Sequence, residues 1–160
     1  MSRELNEEIK RYGKEILNSD GMHAEKNFIQ HGNISCYAHS VSVAEMSIKI
    51  AEYFNISVDR RSLIRGALLH DYFLYDWHEP SRDHRLHGFS HARTALRNAE
   101  RDFCLNSIEK DIICRHMFPL NIKLPKYRES RIVCLADKIC AAHETVSGLG
   151  MMKRFGGAKG

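Results

Sequence analysis

Hydrophobic residues recur at helical spacing along most of the chain, and no alternation typical of a β-hairpin is evident. Val43, Met46 and Ile50, for example, share one face of a predicted helix. The pattern predicts helices over residues 3–18, 35–54, 60–71, 90–101, 107–116 and 127–147. We therefore predict an all-α fold, namely a single-domain bundle of about six helices.

Polar and helix-breaking residues support these boundaries. Asp59 has the chemistry of an N-cap for the third helix, and Ser90 for the fourth. Pro119 and Pro125 bracket a loop before the last helix. We divide the chain into an N-terminal helix and connector (1–34), the main domain (35–147) and a flexible Gly-rich tail (148–160).

Residues 72–88 lack a clean period and are rich in His and Arg. Long irregular segments inside a small domain are often functional. We therefore predict a functional loop between the third and fourth helices.

Composition limits the class of protein. The 160 residues include 43% hydrophobic and 28% charged residues, which suits one globular domain. The 24 Lys and Arg residues against 20 Asp and Glu leave a net charge of +4. This charge is too weak to indicate a nucleic-acid groove, but it does not repel a small phosphorylated molecule.

The cellular setting expected from the sequence is the cytoplasm. The longest apolar run, Ile132 to Ala136, is far shorter than a membrane span, and the polar segment from Met1 to Glu8 does not resemble a signal peptide. The 5 cysteines contain no CxxC pair and have apolar neighbours, so we expect reduced thiols rather than disulfides.

The chain contains an unusually large number of histidines, 10 in all. The helical period places several of them on apolar faces. His39 shares a face with Val43 and Met46, and His70 follows Ala67 on the core side of its helix. The same argument applies to other polar residues, namely His91, His116 and Asp137.

Two carboxylates, Asp71 and Asp137, are expected at core-facing positions, where an unpaired charge is costly. Neutral imidazoles cannot compensate that charge, whereas a metal ion held between the helices can. Taken singly, each histidine is also explained as an ordinary core or surface side chain. Asp71 could equally end a helix, and Asp137 could pair with an arginine.

The order of these residues along the chain is distinctive. His70 and Asp71 end the apolar run Leu68-Leu69-His70-Asp71, His39 lies upstream, and Asp137 lies in Leu135-Ala136-Asp137-Lys138. With His91 and His116 between them, the set resembles the HD-domain superfamily of metal-dependent phosphohydrolases over roughly residues 35–145. The complete set of six is similar to its two-metal subgroups, and it implies the HD-type helical bundle.

The resemblance implies that His39, His70, Asp71 and Asp137 bind one metal, and that Asp71 bridges to a second metal. The remaining ligands of the second metal would be His91 and His116. Nitrogen and carboxylate ligands favour two divalent transition metals, Fe or Mn in the first place, with Co or Zn also compatible. A bridged pair about 3.5–4 Å apart can hold a hydroxide and bind a phosphoryl oxygen.

A phosphate substrate also needs cationic or hydrogen-bonding groups near the metals. In the family, the position after the last Asp often carries a cation near the substrate. The resemblance therefore implies catalytic roles for Lys138, which occupies that position, and for Asp71. Arg85 and His87 in the predicted loop, and His31 before the second helix, are candidate substrate-binding residues. A solvated loop residue and a helix-terminal histidine are the structural alternatives for Arg85 and His31.

The function predicted from the resemblance is a metal-dependent phosphohydrolase, either a phosphomonoesterase or a phosphodiesterase. Its partner would be a nucleotide or another small phosphate ester. A mixed-valent di-iron oxygenase of the same superfamily is the alternative, because the ligand set is shared. A nucleotide sensor without turnover is disfavoured, since all six ligand positions are filled.

Overall fold

Helices dominate the computed structural model, which describes residues 3–31, 33–73, 87–120 and 122–156. These ranges contain seven α-helices, a short 3-10 helix (Glu25–Asn27) and two short strands. The helices are α1 (Arg3–Leu17), α2 (Asp20–Ala24), α3 (Cys36–Tyr53), α4 (Arg60–Leu69), α5 (His87–Asp102), α6 (Ser107–Arg115) and α7 (Arg128–Gly156). The all-α prediction is confirmed, with the short α2 added to the predicted helices.

Two strands were not predicted. β1 (Ile29–His31) and β2 (Ile34–Ser35) pair antiparallel, with Ile29 opposite Ser35. Strands this short cannot display a hydrophobic alternation, so the expectation of no β-hairpin was wrong for a physical reason. The backbone N–H of Cys36 donates to the carbonyl of Phe28 at 2.8 Å, which ties the pair to the start of α3.

Side-chain caps begin the helices that carry the later argument. The Ser35 hydroxyl accepts from the backbone N–H of Ala38 at the start of α3. Asp59 accepts from the N–H of Ser62 at 3.0 Å, which confirms it as the N-cap of α4. Asn106 and Glu109 form a reciprocal capping box at the start of α6.

Two predicted helix boundaries were wrong. α5 begins at His87 rather than at Ser90, because a serine that suits an N-cap is also tolerated inside a first turn. α7 continues to Gly156, so residues 148–156 of the expected tail are helical. Gly148 and Gly150 each cost about 1 kcal/mol in a helix and so only weaken its end. Residues 74–86 of the predicted loop lie outside the described residues.

The core lies where α3 and α4 meet α6 and α7. α3 packs against α4 and α7, and α6 packs against α4, α5 and α7. A Cβ atom on Gly66 would lie 2.4 Å from Cδ1 of Ile112, so the glycine allows α4 and α6 to approach closely. This contact brings the C-terminal ends of the two helices together. None of the helices in the described part of the chain combines the length and apolar character of a membrane span.

A buried ion network joins α4 to its neighbours. Arg65 is 2% exposed, and its guanidinium donates to the buried Glu109 of α6 at 2.8 Å and to the largely exposed Glu15 of α1 at 3.0 Å. It also donates to the carbonyl of Cys104. Charges that are paired and hydrogen-bonded in this way are tolerated in a core, and they fix how the helices sit around the site.

Candidate metal centre

The structure brings all six predicted ligands together in two groups. The first group consists of His39, His70 and Asp137, and the second of Asp71, His91 and His116. Within each group, one ligand atom per residue lies within 4.8 Å of the others. All six side chains are buried except that of Asp137, which is 13% exposed. Three converging nitrogen and carboxylate donors in each group form a set that could hold a transition metal.

The positions of the ligands follow from where the helices end. His70 is the C-cap of α4 and His116 is the C-cap of α6. Just after His70 the chain turns, as the N–H of Tyr72 donates to the carbonyl of Leu69 at 3.2 Å. Two adjacent residues on a regular helix point in different directions, so this turn is what lets His70 and Asp71 face one centre.

Asp71 presents one carboxylate oxygen to each group. Its Oδ1 atom lies 3.3 Å from Nε2 of His91 and 3.3 Å from Nε2 of His116. Its Oδ2 atom lies 3.4 Å from Nε2 of His70 and 4.0 Å from Nε2 of His39. This placement is the one that a carboxylate shared between two cations would need.

Three imidazole rings are held through Nδ1, with Nε2 facing the centre. Nδ1 of His70 lies 2.7 Å from the carbonyl of Ala67, and Nδ1 of His116 lies 2.9 Å from the carbonyl of Ile113. Nδ1 of His39 instead lies 2.8 Å from Oε2 of Glu144. These acceptors place the proton on Nδ1, which leaves the Nε2 lone pair for a cation.

Opposite charges determine the protonation of the first group. Burial alone would lower the pKa of His39, but hydrogen bonds with Asp137 and Glu144 outweigh it and raise that pKa to about 10. Burial alone would raise the pKa of Asp137, but interactions with the imidazoles of His39 and His70 hold that pKa below its usual range. Without a cation, a proton on the imidazole therefore balances the carboxylates.

Protonation differs in the second group. Burial lowers the pKa of His116. Burial would raise the pKa of Asp71, but the charge of His70 and the close imidazoles of His116 and His91 keep that pKa well below its usual range. A neutral imidazole beside an ionised carboxylate is a good metal-binding pair.

The centre also contains buried polar atoms that the surrounding protein does not pair. Nε2 of His91 lies 2.9 Å from Nε2 of His116, so two ring nitrogens that could both bind a cation face each other. Among the described residues, Nε2 of His70 and Oδ1 of Asp71 are buried without a hydrogen-bond partner. Buried polar atoms left in this way normally have a partner, and a cation at this point would supply one. The residues present therefore fit a metal centre.

Sequence reasoning missed two residues that hold ligands in place. Glu144 lies two turns after Asp137 on α7, so helical spacing could have placed both on one face. Gln30 lies in β1 and donates from Nε2 to Oδ2 of Asp71 at 2.5 Å, and its Oε1 accepts from the thiol of Cys36. No sequence pattern predicts Gln30, because it reaches the site through tertiary structure.

A third missed residue is Glu25, in the 3-10 helix. It is 1% exposed, and neither of its carboxylate oxygens has a hydrogen-bond partner among the described residues. Burial and the nearby charge of Asp71 raise the pKa of Glu25 well above its usual value, although His39 opposes this effect. Glu25 is therefore a titratable group near the ligands, in addition to the ligands themselves.

The structure places the candidate catalytic lysine beside the second group. Nζ of Lys138 donates to the carbonyl of His116 at 3.1 Å and to the carbonyl of Cys134 at 3.2 Å. These contacts hold the end of α6, and the substrate role of Lys138 stays a prediction. Arg85 lies outside the described residues. His31 belongs to β1 and His87 begins α5, but their side chains lie outside the described part of the chain.

Comparison with known proteins agrees with this site. The family model described as the HD domain matches residues 36–142, a range that includes all six candidate ligands. Neither the curated proteins nor the solved structures provide a match to the chain. Because the family model covers well over half of the 160 residues, the chain belongs to the HD-domain family.

Proposed function

We propose that this HD-domain protein is a metal-dependent phosphohydrolase that acts on a nucleotide or another small phosphate ester. The observation that carries the proposal is the division of six ligands into two groups, whose imidazoles face different oxygens of Asp71. The HD-domain family, which is generally one of metal-dependent hydrolases, supports the reaction class.

Two divalent transition metals would be held in the centre, with Fe or Mn favoured and Co or Zn compatible with the same ligands. His39, His70 and Asp137 would bind one ion, His91 and His116 the other, and Asp71 both. When bound, such ions polarise a phosphoryl oxygen and lower the pKa of a bound water. The protein itself contributes fixed imidazole rings and a buried setting that limits access of other water.

The remaining predicted residues would act on the substrate. We assign to Lys138, with Arg85, His87 and His31, the task of binding phosphate oxygens and the rest of the ligand. The support for Lys138 is its position next to His116, because its ammonium group lies against a ligand residue of the second group. A net charge of +4 is compatible with an anionic substrate.

A cytoplasmic location belongs to the same proposal. None of the five cysteines, all of which lie in the described residues, forms a disulfide, and Cys36, Cys134 and Cys140 are buried within the fold. Cysteines outside disulfides are usual in proteins of a reducing compartment, which supports this location.

The first test measures metal content and hydrolysis together. The chain would be purified without oxygen, analysed for bound metal, and then loaded with Mn²⁺ or Fe²⁺. Phosphate release would be measured on p-nitrophenyl phosphate, bis(p-nitrophenyl) phosphate and a panel of nucleotides. We expect two ions per chain and turnover of at least one phosphate ester. Metal loss with Asp71→Ala but not with the exposed Asp20→Ala would support the assigned ligands.

Two results would contradict the proposal. A wild-type protein that binds no metal would exclude the metal centre. Two irons with oxygen uptake, a mixed-valent signal and no phosphate release would instead indicate the di-iron oxygenase. The chemistry would then differ, although the ligands would be the same.

A further inference from the structure

We propose that Glu144 is a positioning residue that makes the first group the tighter of the two metal sites. The inference rests on the metal binding in the proposed function and goes beyond it, because it assigns different affinities to the two sites. The observation behind it is the contact between Oε2 of Glu144 and Nδ1 of His39, at 2.8 Å. His39 is completely buried and Glu144 is 8% exposed.

The contact differs in kind from those of the His70 and His116 imidazoles. His70 and His116 direct Nδ1 to carbonyls one helical turn earlier, at Ala67 and Ile113. Both contacts join residues three positions apart and need no other helix. His39 directs Nδ1 to a residue on another helix, so its ring orientation depends on α7 and on the charge of Glu144.

A carboxylate behind a ligand histidine has a known physical effect. It fixes the tautomer with the proton on Nδ1, holds the ring plane, and strengthens donation from Nε2 to a cation. The hydrogen bond is charge-assisted and lies in a buried setting, where both factors strengthen it. His39 is thereby prepared to bind through Nε2, the atom that lies 3.2 Å from Oδ1 of Asp137.

In the described part of the chain, the contact to His39 is the one hydrogen bond that the Glu144 side chain makes. No second hydrogen bond among these residues explains why the carboxylate is buried. The cost of removing both charges from water offsets most of their attraction in a buried ion pair, so the pair with His39 is weak evidence that Glu144 is present for stability. A gain in metal binding accounts for its presence better than a gain in stability.

The charges of the two groups then differ. The first group contains Asp137, and Glu144 lies directly behind one of its imidazoles. The second group contains the shared carboxylate of Asp71 with the imidazoles of His91 and His116. Since additional negative charge favours a divalent cation, the first group should fill before the second.

The test is a titration with Mn²⁺ as the sole metal. Binding is monitored by calorimetry, and the bound Mn²⁺ is counted by elemental analysis after dialysis. The wild type is measured first, and then His91→Ala, which leaves the first group as a single site. In the His91→Ala background, Glu144→Gln is expected to weaken binding about 10- to 100-fold, and Glu144→Asp is expected to restore part of the loss. Titration at two pH values separates this effect from competition by protons.

Glu109→Gln is the matched control, because Glu109 is also a buried carboxylate but pairs with Arg65 rather than with a ligand. It should lower the melting temperature and leave the Mn²⁺ constant unchanged.

The outcomes separate this inference from the proposed function. A wild type without Mn²⁺ binding would overturn both. Two bound ions in the wild type, with an unchanged constant for Glu144→Gln in the single-site background, would overturn only the role of Glu144. A loss of binding in Glu144→Gln that Glu109→Gln reproduces would show an effect of fold stability and would also overturn it.

Discussion

The side-chain amide of Gln30 donates a 2.5 Å hydrogen bond to Oδ2 of Asp71, the carboxylate that faces both ligand groups. The amide belongs to β1, whereas Asp71 follows the end of α4. The thiol of Cys36 in turn donates to the amide oxygen of Gln30. The short strand pair therefore sets the rotation of the most important carboxylate in the site.

We predict that Gln30→Leu weakens binding at both metal sites, by about tenfold at each, because it releases the carboxylate that both share. Mn²⁺ titration with elemental analysis would measure this effect. Tyr53→Ala, at the exposed C-terminal end of α3, is the control for a mutation away from the site. Weakening at one site alone would contradict the shared position of Asp71.

Metal binding should release protons near neutral pH. The pKa of His39 is raised to about 10 in the folded protein, so the imidazole carries a proton at pH 8 that a cation must displace. Affinity of the first group should therefore rise by about tenfold per pH unit up to about pH 10. Calorimetry in two buffers of different ionisation enthalpy would count the protons, and a buffer-independent heat would contradict the prediction.

The same pKa predicts how His39 affects stability without metal. Its folded pKa lies above the unfolded value of 6.5, so the stabilisation is complete below that value and is lost as pH rises through about 10. Thermal unfolding of metal-stripped protein between pH 6 and 10 would show a falling melting temperature. His39→Gln should flatten this dependence, and an unchanged slope would argue against the protonated imidazole.

Glu25 is expected to destabilise the fold at pH values above the usual pKa of a glutamate. Because its folded pKa is raised above the unfolded value of 4.5, ionisation favours the unfolded chain as pH increases. We predict that Glu25→Gln raises the free energy of unfolding by about 1–3 kcal/mol at pH 8 and by less at pH 5. Denaturant unfolding at both values would measure it, with the exposed Glu7→Gln as control. Equal effects at the two pH values would contradict the assignment.

Lys138→Ala should separate substrate binding from metal binding. Loss of the hydrogen bonds to His116 and Cys134 is expected to cost about 1 kcal/mol of stability, while metal content remains. If Lys138 also binds phosphate, the KM of the best substrate should rise at unchanged metal content. A lowered metal content with unchanged KM would assign Lys138 to the support of His116 alone.

The ligand residues were predictable where helical periodicity decides the face of a residue. His39, His70 and His116 lie on apolar faces because each is one or two turns from buried aliphatic residues, and the helix period is a local property of the backbone. The dyad of His70 and Asp71 could likewise be placed at a helix end. The resemblance to the HD-domain family then supplied the expectation that these residues converge.

Other features had no local signal. The pairing of β1 with β2 depends on the start of α3, and the contact of Gln30 with Asp71 depends on that pairing. The burial of Glu25 without a partner is likewise not visible in its polar neighbours along the chain.

The sequence by itself determined the helices, their apolar faces and the residue types able to bind metal, because these depend on spacing within a few turns. The family resemblance predicted two groups that share Asp71, but only the tertiary structure decided how the ligands are placed around that carboxylate and that Glu144 supports His39. Those relationships depend on which helices pack together. That packing is set by close contacts such as Gly66 against Ile112, between residues far apart in the chain.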